Sequence, residues 1–281
     1  MIETEIVELE KHRQLIDEGF CVFEKILVGD FLDRVKGTTD RLISEQSKKH
    51  FEANLSTGSM ISVFSDPIFA ELVAHTPALK ALADLGYDDP KFSSGYVISK
   101  PPQSPPLFWH QDWWGWNDPV SYTELPQQVF LMYYMVDTTK ENGCLRLIPG
   151  SHLKRHELHK YVPDAHTDDL KRVTDPDHPS YKSHPDELPV PLKAGDLVIG
   201  DSRLIHGSFA NETATRRTVI TLWFHPVFAQ LPDCIRAHMG RHRSDNGWPE
   251  SANELVRSLI PSYDGDAEPI VWNRIPGDAL K

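Results

Sequence analysis

A histidine and an aspartate stand two residues apart in the stretch FWHQDWWGW, residues 108–116. In an extended strand side chains alternate between faces, so His110 and Asp112 project together while Gln111 projects away. One imidazole and one carboxylate on one face make two adjacent corners of a metal site. The best third corner is His206, which ends the strand-like run in GDLVIGDSRLIHGSF. Two histidines and one carboxylate leave about three positions open on an octahedral ion, an arrangement that suits non-haem Fe(II) with O2 and a co-substrate. An H-x-D pair alone is weak evidence in a chain with 14 histidines. The arginines that open RRTVITLWF, shortly after His206, add weight. A buried guanidinium can hold a carboxylate through two parallel hydrogen bonds, as a 2-oxoglutarate carboxylate requires. Strand parity does not choose between Arg216 and Arg217.

These residues must be positioned by two kinds of element. Residues 1–90 read as a helical buttress. Ile2, Ile6, Leu9, Ile16 and Phe20 keep approximate helical spacing up to a stop at Gly19. Phe31, Leu32, Val35, Leu42 and Ile43 mark a second amphipathic helix, weakened by Gly37. Asp66-Pro67 and Thr76-Pro77 each place a capping residue before a proline, predicting two short helices, the last closed by Gly86. After Lys91 come short runs rich in β-branched and aromatic residues, FSSGYVISK, LFWHQDWW, QVFLMYYMVD, CLRLIPG, DLVIGD and RTVITLWFHP, punctuated by turn residues such as Asn142-Gly143. Many short strands with few intervening helices predict an antiparallel sandwich or barrel over 91–230. The polar segment 151–191 carries six histidines and reads as a mobile lid with a solvated surface. A C-terminal extension, 231–281, completes one domain spanning 1–281.

Net charge is −12, from 29 basic against 41 acidic residues, which argues against nucleic acid or an anionic membrane as partner. The 3 cysteines, Cys21, Cys144 and Cys234, define no disulfide framework or metal knot. No signal-like start and no long apolar run is present, so the expectation is a cytoplasmic protein, monomer or homodimer, acting on a small molecule. Nothing resembles a nucleophile elbow or a phosphate-binding glycine loop.

Several blocks in order resemble the phytanoyl-CoA dioxygenase family of Fe(II)/2-oxoglutarate oxygenases: LIDEGFCVF, KPP at 100–102 before WHQD at 109–112, ENGCLRLIPGSH at 141–152, and AGDLVIGDSRLIHGS with an arginine eleven residues after its histidine. The resemblance covers nearly the whole chain. It implies a mainly β fold with flanking helices, a double-stranded β-helix (jelly-roll, cupin-like) barrel with N-terminal helices. It implies His110, Asp112 and His206 as iron ligands and Arg217, rather than Arg216, as partner of the distal carboxylate of 2-oxoglutarate, helped by Ser208. Tyr96 and Met132 are expected to line the co-substrate pocket, and Asn142 and Gly143 to shape a turn. The activity implied is O2-dependent hydroxylation of a substrate C–H bond, with release of succinate and CO2. Related halogenases lack the metal-binding carboxylate, so Asp112 argues against halogenation.

Parity puts Trp114 on the ligand face, and Thr221 and Trp223 on the face of Arg217. With Trp116 these are the expected substrate residues, whereas Trp109 and Trp113 should pack beneath the surface. A tryptophan cage near Asp118 would suit a cationic substrate through cation–π attraction. Two alternatives remain: a non-catalytic jelly-roll protein binding metal or small molecules, and an oxygenase acting on a protein side chain.

Overall fold

Two antiparallel sheets face one another in the computed structural model, which describes residues 2–241 and 247–281. The N-terminal helices are α1 (Ile2–Glu18), α2 (Gly29–Ser44), α3 (Lys48–Ala53), α4 (Ile68–Val73) and α5 (Thr76–Asp84). The strands are β1 (Phe20–Phe23), β2 (Ile61–Ser62), β3 (Lys91–Lys100), β4 (Leu107–His110), β5 (Val129–Tyr134), β6 (Leu145–Leu147), β7 (Leu188–Val190), β8 (Leu197–Asp201), β9 (His206–Ser208) and β10 (Arg217–His225). Among the described residues, one sheet runs β1-β8-β5-β10-β3-β2 and the other β4-β9-β6-β7. This is the helix-flanked, mainly β jelly-roll architecture expected.

Strand alternation builds two cores from one sheet. Phe130, Met132 and Tyr134 of β5 face the smaller sheet and pack with Leu145, Leu147 and Val190. Val129, Leu131 and Tyr133 face the helices and join Val35, Leu42 and Ile43 of α2. Both faces are covered, so β5 is an unbroken apolar run rather than an alternating one. The buried residues of α2, Val35, Thr39, Leu42 and Ile43, recur at helical spacing, and each large apolar one contributes roughly 1.5–3 kcal/mol by burial. Gly19 ends α1 at φ +90, with its N–H donating to Leu15 O at 3.0 Å.

Several local expectations change. Thr76 is not a cap: it lies inside α5, whose N-cap His75 makes no side-chain capping bond. β4 stops at His110, and the chain continues irregularly, pinned where Asp112 N and Trp113 N both donate to Ser202 O at 2.7 and 2.8 Å. The short α3, β2 and β7 were not foreseen, because pieces this short hold no full period of any pattern.

The 151–191 segment is the largest correction. Its histidines are not a solvated surface: His152 and His159 are buried. The segment contains 3-10 turns at Glu157–Asp164 and Pro179–Tyr181 and helix α6 (Asp168–Arg172). Three of its histidines act as caps, with Nδ1 of His156, His178 and His184 accepting from the backbone N–H two residues on. Arg146 of β6 fastens it by donating to Tyr181 O, Lys182 O and Glu187, with its guanidinium 4.1 Å from the centre of the Trp109 ring. No helix among the described residues is long and apolar enough to cross a membrane.

β9 approaches β4 closely because Gly207 lacks a side chain. A Cβ there would lie 2.9 Å from Leu107 O and 3.1 Å from Phe108 O. Gly207→Ala is expected to lower stability by about 1–3 kcal/mol through overpacking, read as a drop in the denaturant midpoint. An unchanged midpoint would show that the two strands tolerate wider separation.

Candidate metal centre

His110 and His206 stand directly opposite one another on β4 and β9, with ring centroids 4.2 Å apart. The turn that delivers His206 is held by a buried fork in which Arg203 donates to both oxygens of Asp201. Asp112 closes the set: its Oδ1 lies 3.7 Å from His110 Nε2 and its Oδ2 lies 3.7 Å from His206 Nε2. All three residues are buried, and their ligand atoms lie within 4.8 Å of one another.

Hydrogen bonding prepares both rings for a metal. Nδ1 of His110 lies 3.0 Å from Phe108 O, and Nδ1 of His206 lies 3.0 Å from Leu204 O. A carbonyl can only accept, so each Nδ1 carries the proton and each Nε2 presents its lone pair. Burial, followed by the neighbouring His206, pushes the His110 imidazole down to about 3, keeping it neutral. The 3.7 Å approach of His110 to Asp112 is therefore convergence of two donor atoms rather than an ion pair. Two imidazoles converging through Nε2 on a carboxylate fit a divalent iron ion.

A second cluster, His156, His184 and Asp186, also has its donor atoms within 4.8 Å of one another but the opposite tautomers. Nδ1 of His156 and of His184 accepts a backbone N–H, so Nε2 carries the proton and faces Asp186 and Glu157 respectively. These rings donate to carboxylates and have no lone pair free for a metal.

Trp223 Nε1 donates to Asp112 Oδ2 at 2.9 Å, fixing the carboxylate from outside the three-residue cluster. Trp223→Phe is expected to weaken Fe(II) binding about 10- to 100-fold, as losses of such supporting bonds typically do. Titration of the metal-free chain checks this, and undiminished affinity would remove Trp223 from the support of Asp112.

A cavity of about 50 Å³ adjoins the three residues and is lined by Met132, Tyr134, Ser208, Arg217 and Thr221 among others. Arg217 Nε, Ser208 Oγ and Thr221 Oγ1 are buried there without hydrogen-bond partners. Burial lowers the Arg217 guanidinium from its ordinary value, while Tyr134 and Cys144 act in the opposite sense. An unmet buried polar group costs about 1–3 kcal/mol, so three around one cavity fit a missing polar ligand. Arg216 is only partly buried, donating to Ser99 O over the Phe51 ring, which resolves the parity question. Lys100 of the KPP block is buried nearby and donates to Ser56 O and Pro105 O.

A larger cavity of about 630 Å³ opens beside Asp112. Trp114 lines it, and Trp223 lines both cavities. Two residues exchange places relative to expectation: Tyr96 lines the larger cavity and Thr221 the smaller. Tyr96, Thr221 and Met132 form one row across β3, β10 and β5, but the Tyr96 ring extends outward to meet Trp223 edge-on at 6.1 Å. Trp116 lines neither described cavity and packs on Tyr122 at 5.3 Å. Trp109 packs with Ile148, Leu158 and Ile205, and Trp113 with Phe228 and Ile235, in separate apolar clusters. Asn142 holds its turn by accepting from Thr139 N at 2.7 Å. Asp118 is no part of a cage, because its side chain caps the 3-10 turn at Val120 N and accepts from Cys234.

Residues around the larger cavity that were missed include His166, Lys171, His238, Trp272 and Arg274. His166 sits at φ +67 with its ring 5.0 Å from that of His110. Arg274 arrives from 163 residues beyond Gln111, whose Nε2 donates to Arg274 O at 2.8 Å. No local pattern in the chain marks such an encounter.

Comparison with known proteins adds a separate line. The family model described as Phytanoyl-CoA dioxygenase (PhyH) matches residues 16–219. The chain belongs to the phytanoyl-CoA dioxygenase family. Phytanoyl-CoA dioxygenase 1 of Oryza sativa subsp. japonica is 32% identical over 162 residues, covering 56% of this chain and 52% of the relative. The chain thus spans about half the length of this and the other first-ranking curated relatives of the family. An ectoine dioxygenase of Sphingopyxis alaskensis is 22% identical over 228 residues, covering 76% of this chain and 74% of the relative. Among solved structures, the epimerase SnoN in complex with Fe3+, alpha ketoglutarate and nogalamycin RO superposes with TM-score 0.59 at 14% identity, covering 98% of this chain and 97% of that one. At that identity the likeness speaks for the fold. His110, Asp112, His206 and Arg217 fall within the stretch matched by the phytanoyl-CoA dioxygenase family, whereas Trp272 and Arg274 lie beyond it.

Proposed function

We propose that this chain is an Fe(II)- and 2-oxoglutarate-dependent dioxygenase that hydroxylates a C–H bond of a small-molecule substrate. The observation that carries the proposal is the pairing of two imidazoles and a carboxylate, donor atoms within 4.8 Å, with a buried guanidinium whose Nε has no partner. Bound iron, with O2 and 2-oxoglutarate, would supply the oxidising chemistry, in which loss of CO2 from the co-substrate leaves succinate. His110, Asp112 and His206 would hold the ion, and Trp223 would orient Asp112. Arg217, with Ser208 and Thr221, would bind the distal carboxylate and so set the co-substrate's direction. Met132, Leu145 and Val219 would keep water out of that pocket, which strengthens the charge contact. Tyr96, Trp114 and Trp223 would hold the substrate beside the metal.

Anaerobic addition of Fe(II) and 2-oxoglutarate to the metal-free chain tests this directly. The expected result is a metal-to-ligand charge-transfer absorption that disappears when O2 is admitted, with isotopically labelled O2 leaving one labelled oxygen atom in succinate. Absence of both the absorption and the succinate would favour a binding protein without catalysis.

A further inference from the structure

The larger cavity has a charge and shape that bear on what it binds. Among the described residues lining it, the carboxylate is that of Asp112, while two cations, Lys171 and Arg274, line it as well. If the inner centre binds Fe(II) and a 2-oxoglutarate dianion, the Asp112 carboxylate and the Arg217 guanidinium bring it to overall neutrality. Asp112 is then spent on the metal, and the two outer cations have no opposing charge within the cavity wall. Arg274 Nε is buried with no hydrogen-bond partner.

The backbone aims Arg274 deliberately. Asn273 N donates to Trp114 O at 2.8 Å, and Trp116 N donates to Asn273 O at 3.2 Å. Gln111 Nε2 then holds Arg274 O at 2.8 Å. The C-terminal segment is thereby laced along the FWHQDWWGW stretch through the backbone of Asn273 and of Arg274 itself. Its neighbour Trp272 stacks on Trp114, centroids 5.2 Å apart and planes at 11°, with the Arg274 guanidinium 5.1 Å from the Trp272 ring centre. Tyr96 and Trp223 add two more ring faces to the cavity. A volume of about 630 Å³ holds a ligand of drug-like size.

We infer that the substrate of this chain is a carboxylate on a flat apolar body, its carboxylate held by Arg274 with Lys171 nearby and its body set against the aromatic rings. A planar guanidinium matches a carboxylate through two parallel hydrogen bonds, and ring faces accept flat apolar surfaces. This replaces the expectation of a cationic substrate. The inference rests on the proposed metal and co-substrate site only for the charge count. Because Arg274 and Trp272 lie outside residues 16–219, this specificity would belong to the chain's own C-terminal segment.

Calorimetric titration of the full chain, loaded anaerobically with Fe(II) and 2-oxoglutarate, decides the matter with three isosteric probes: 2-naphthoate, 2-naphthamide and 2-naphthylmethylammonium. The expected result is that naphthoate binds roughly 10- to 100-fold more tightly than the amide, as a charge-assisted contact warrants. Arg274→Gln should abolish that preference. Equal or tighter binding of the amide or the ammonium overturns the inference, as does a preference that survives Arg274→Gln. If Arg274→Gln loses the amide too, Arg274→Lys decides, with retained carboxylate preference supporting the inference and its loss overturning it. The charge-transfer absorption, read before each titration, reports separately on the iron and co-substrate, since heats are measurable whether or not it forms.

Discussion

An Asp112→Ala, His206→Ala double variant, given Fe(II) and 2-oxoglutarate without O2, is expected to show no charge-transfer absorption and to lose turnover by at least about 10³-fold, well past the usual 10- to 100-fold cost of an outer supporting residue. The expectation follows from the tautomers. His110 keeps its Nε2 lone pair, but one imidazole cannot retain a divalent ion against water when the opposing ring and the carboxylate are gone. The variant should still fold, because neither deleted side chain fills a large core volume. Its main structural cost is Trp223 Nε1, which loses Asp112 as acceptor at about 1–3 kcal/mol. Circular dichroism and the denaturant midpoint separate that modest loss from unfolding. Absorption that survives in a folded double variant would place the metal elsewhere.

Arg217→Met is expected to move two measurements in opposite directions. Affinity for 2-oxoglutarate should fall about 100-fold, because a buried carboxylate loses its charge-assisted fork. Stability of the ligand-free chain should rise by about 1–3 kcal/mol, because the native side chain is 3% exposed and its Nε has no partner. Arg217→Lys keeps the charge without the fork and should fall between wild type and Met in affinity. A purely structural arginine predicts the reverse, with lower stability and unchanged affinity. Calorimetry with 2-oxoglutarate and denaturant unfolding of the free chain, taken together, distinguish the two.

The opposing trends explain why the inner site was legible in the chain. Each of its members breaks a local rule. Histidine and aspartate share one side of an aromatic stretch, and an arginine opens an apolar strand, each against the usual avoidance of burial by charged groups. Alternation along β10 also put Arg217, Thr221 and Trp223 on one face, as the row of inward residues shows. Parity says which face a side chain takes but not how far it reaches. Tyr96 and Thr221 pair across β3 and β10, yet the long ring enters the outer cavity and the short hydroxyl stays in the inner one. The histidines of 151–191 misled for a related reason, since a capping imidazole and a solvated one look alike without the backbone they cap.

By itself, then, the sequence determined the two-sheet class through strand alternation, and its ordered motif blocks marked His110, Asp112, His206 and Arg217 as candidates by family resemblance, although Asp112 lies past the end of β4. Only the tertiary structure decided which histidines carry their proton on Nδ1 and which on Nε2, and so which of two similar clusters suits a metal. It alone brought Arg274 and Trp272 to Asp112 and Trp114, because that meeting depends on a chain path of more than 150 residues, for which no local periodicity exists. The inner chemistry is thus written in short-range pattern, and the outer cavity in long-range packing.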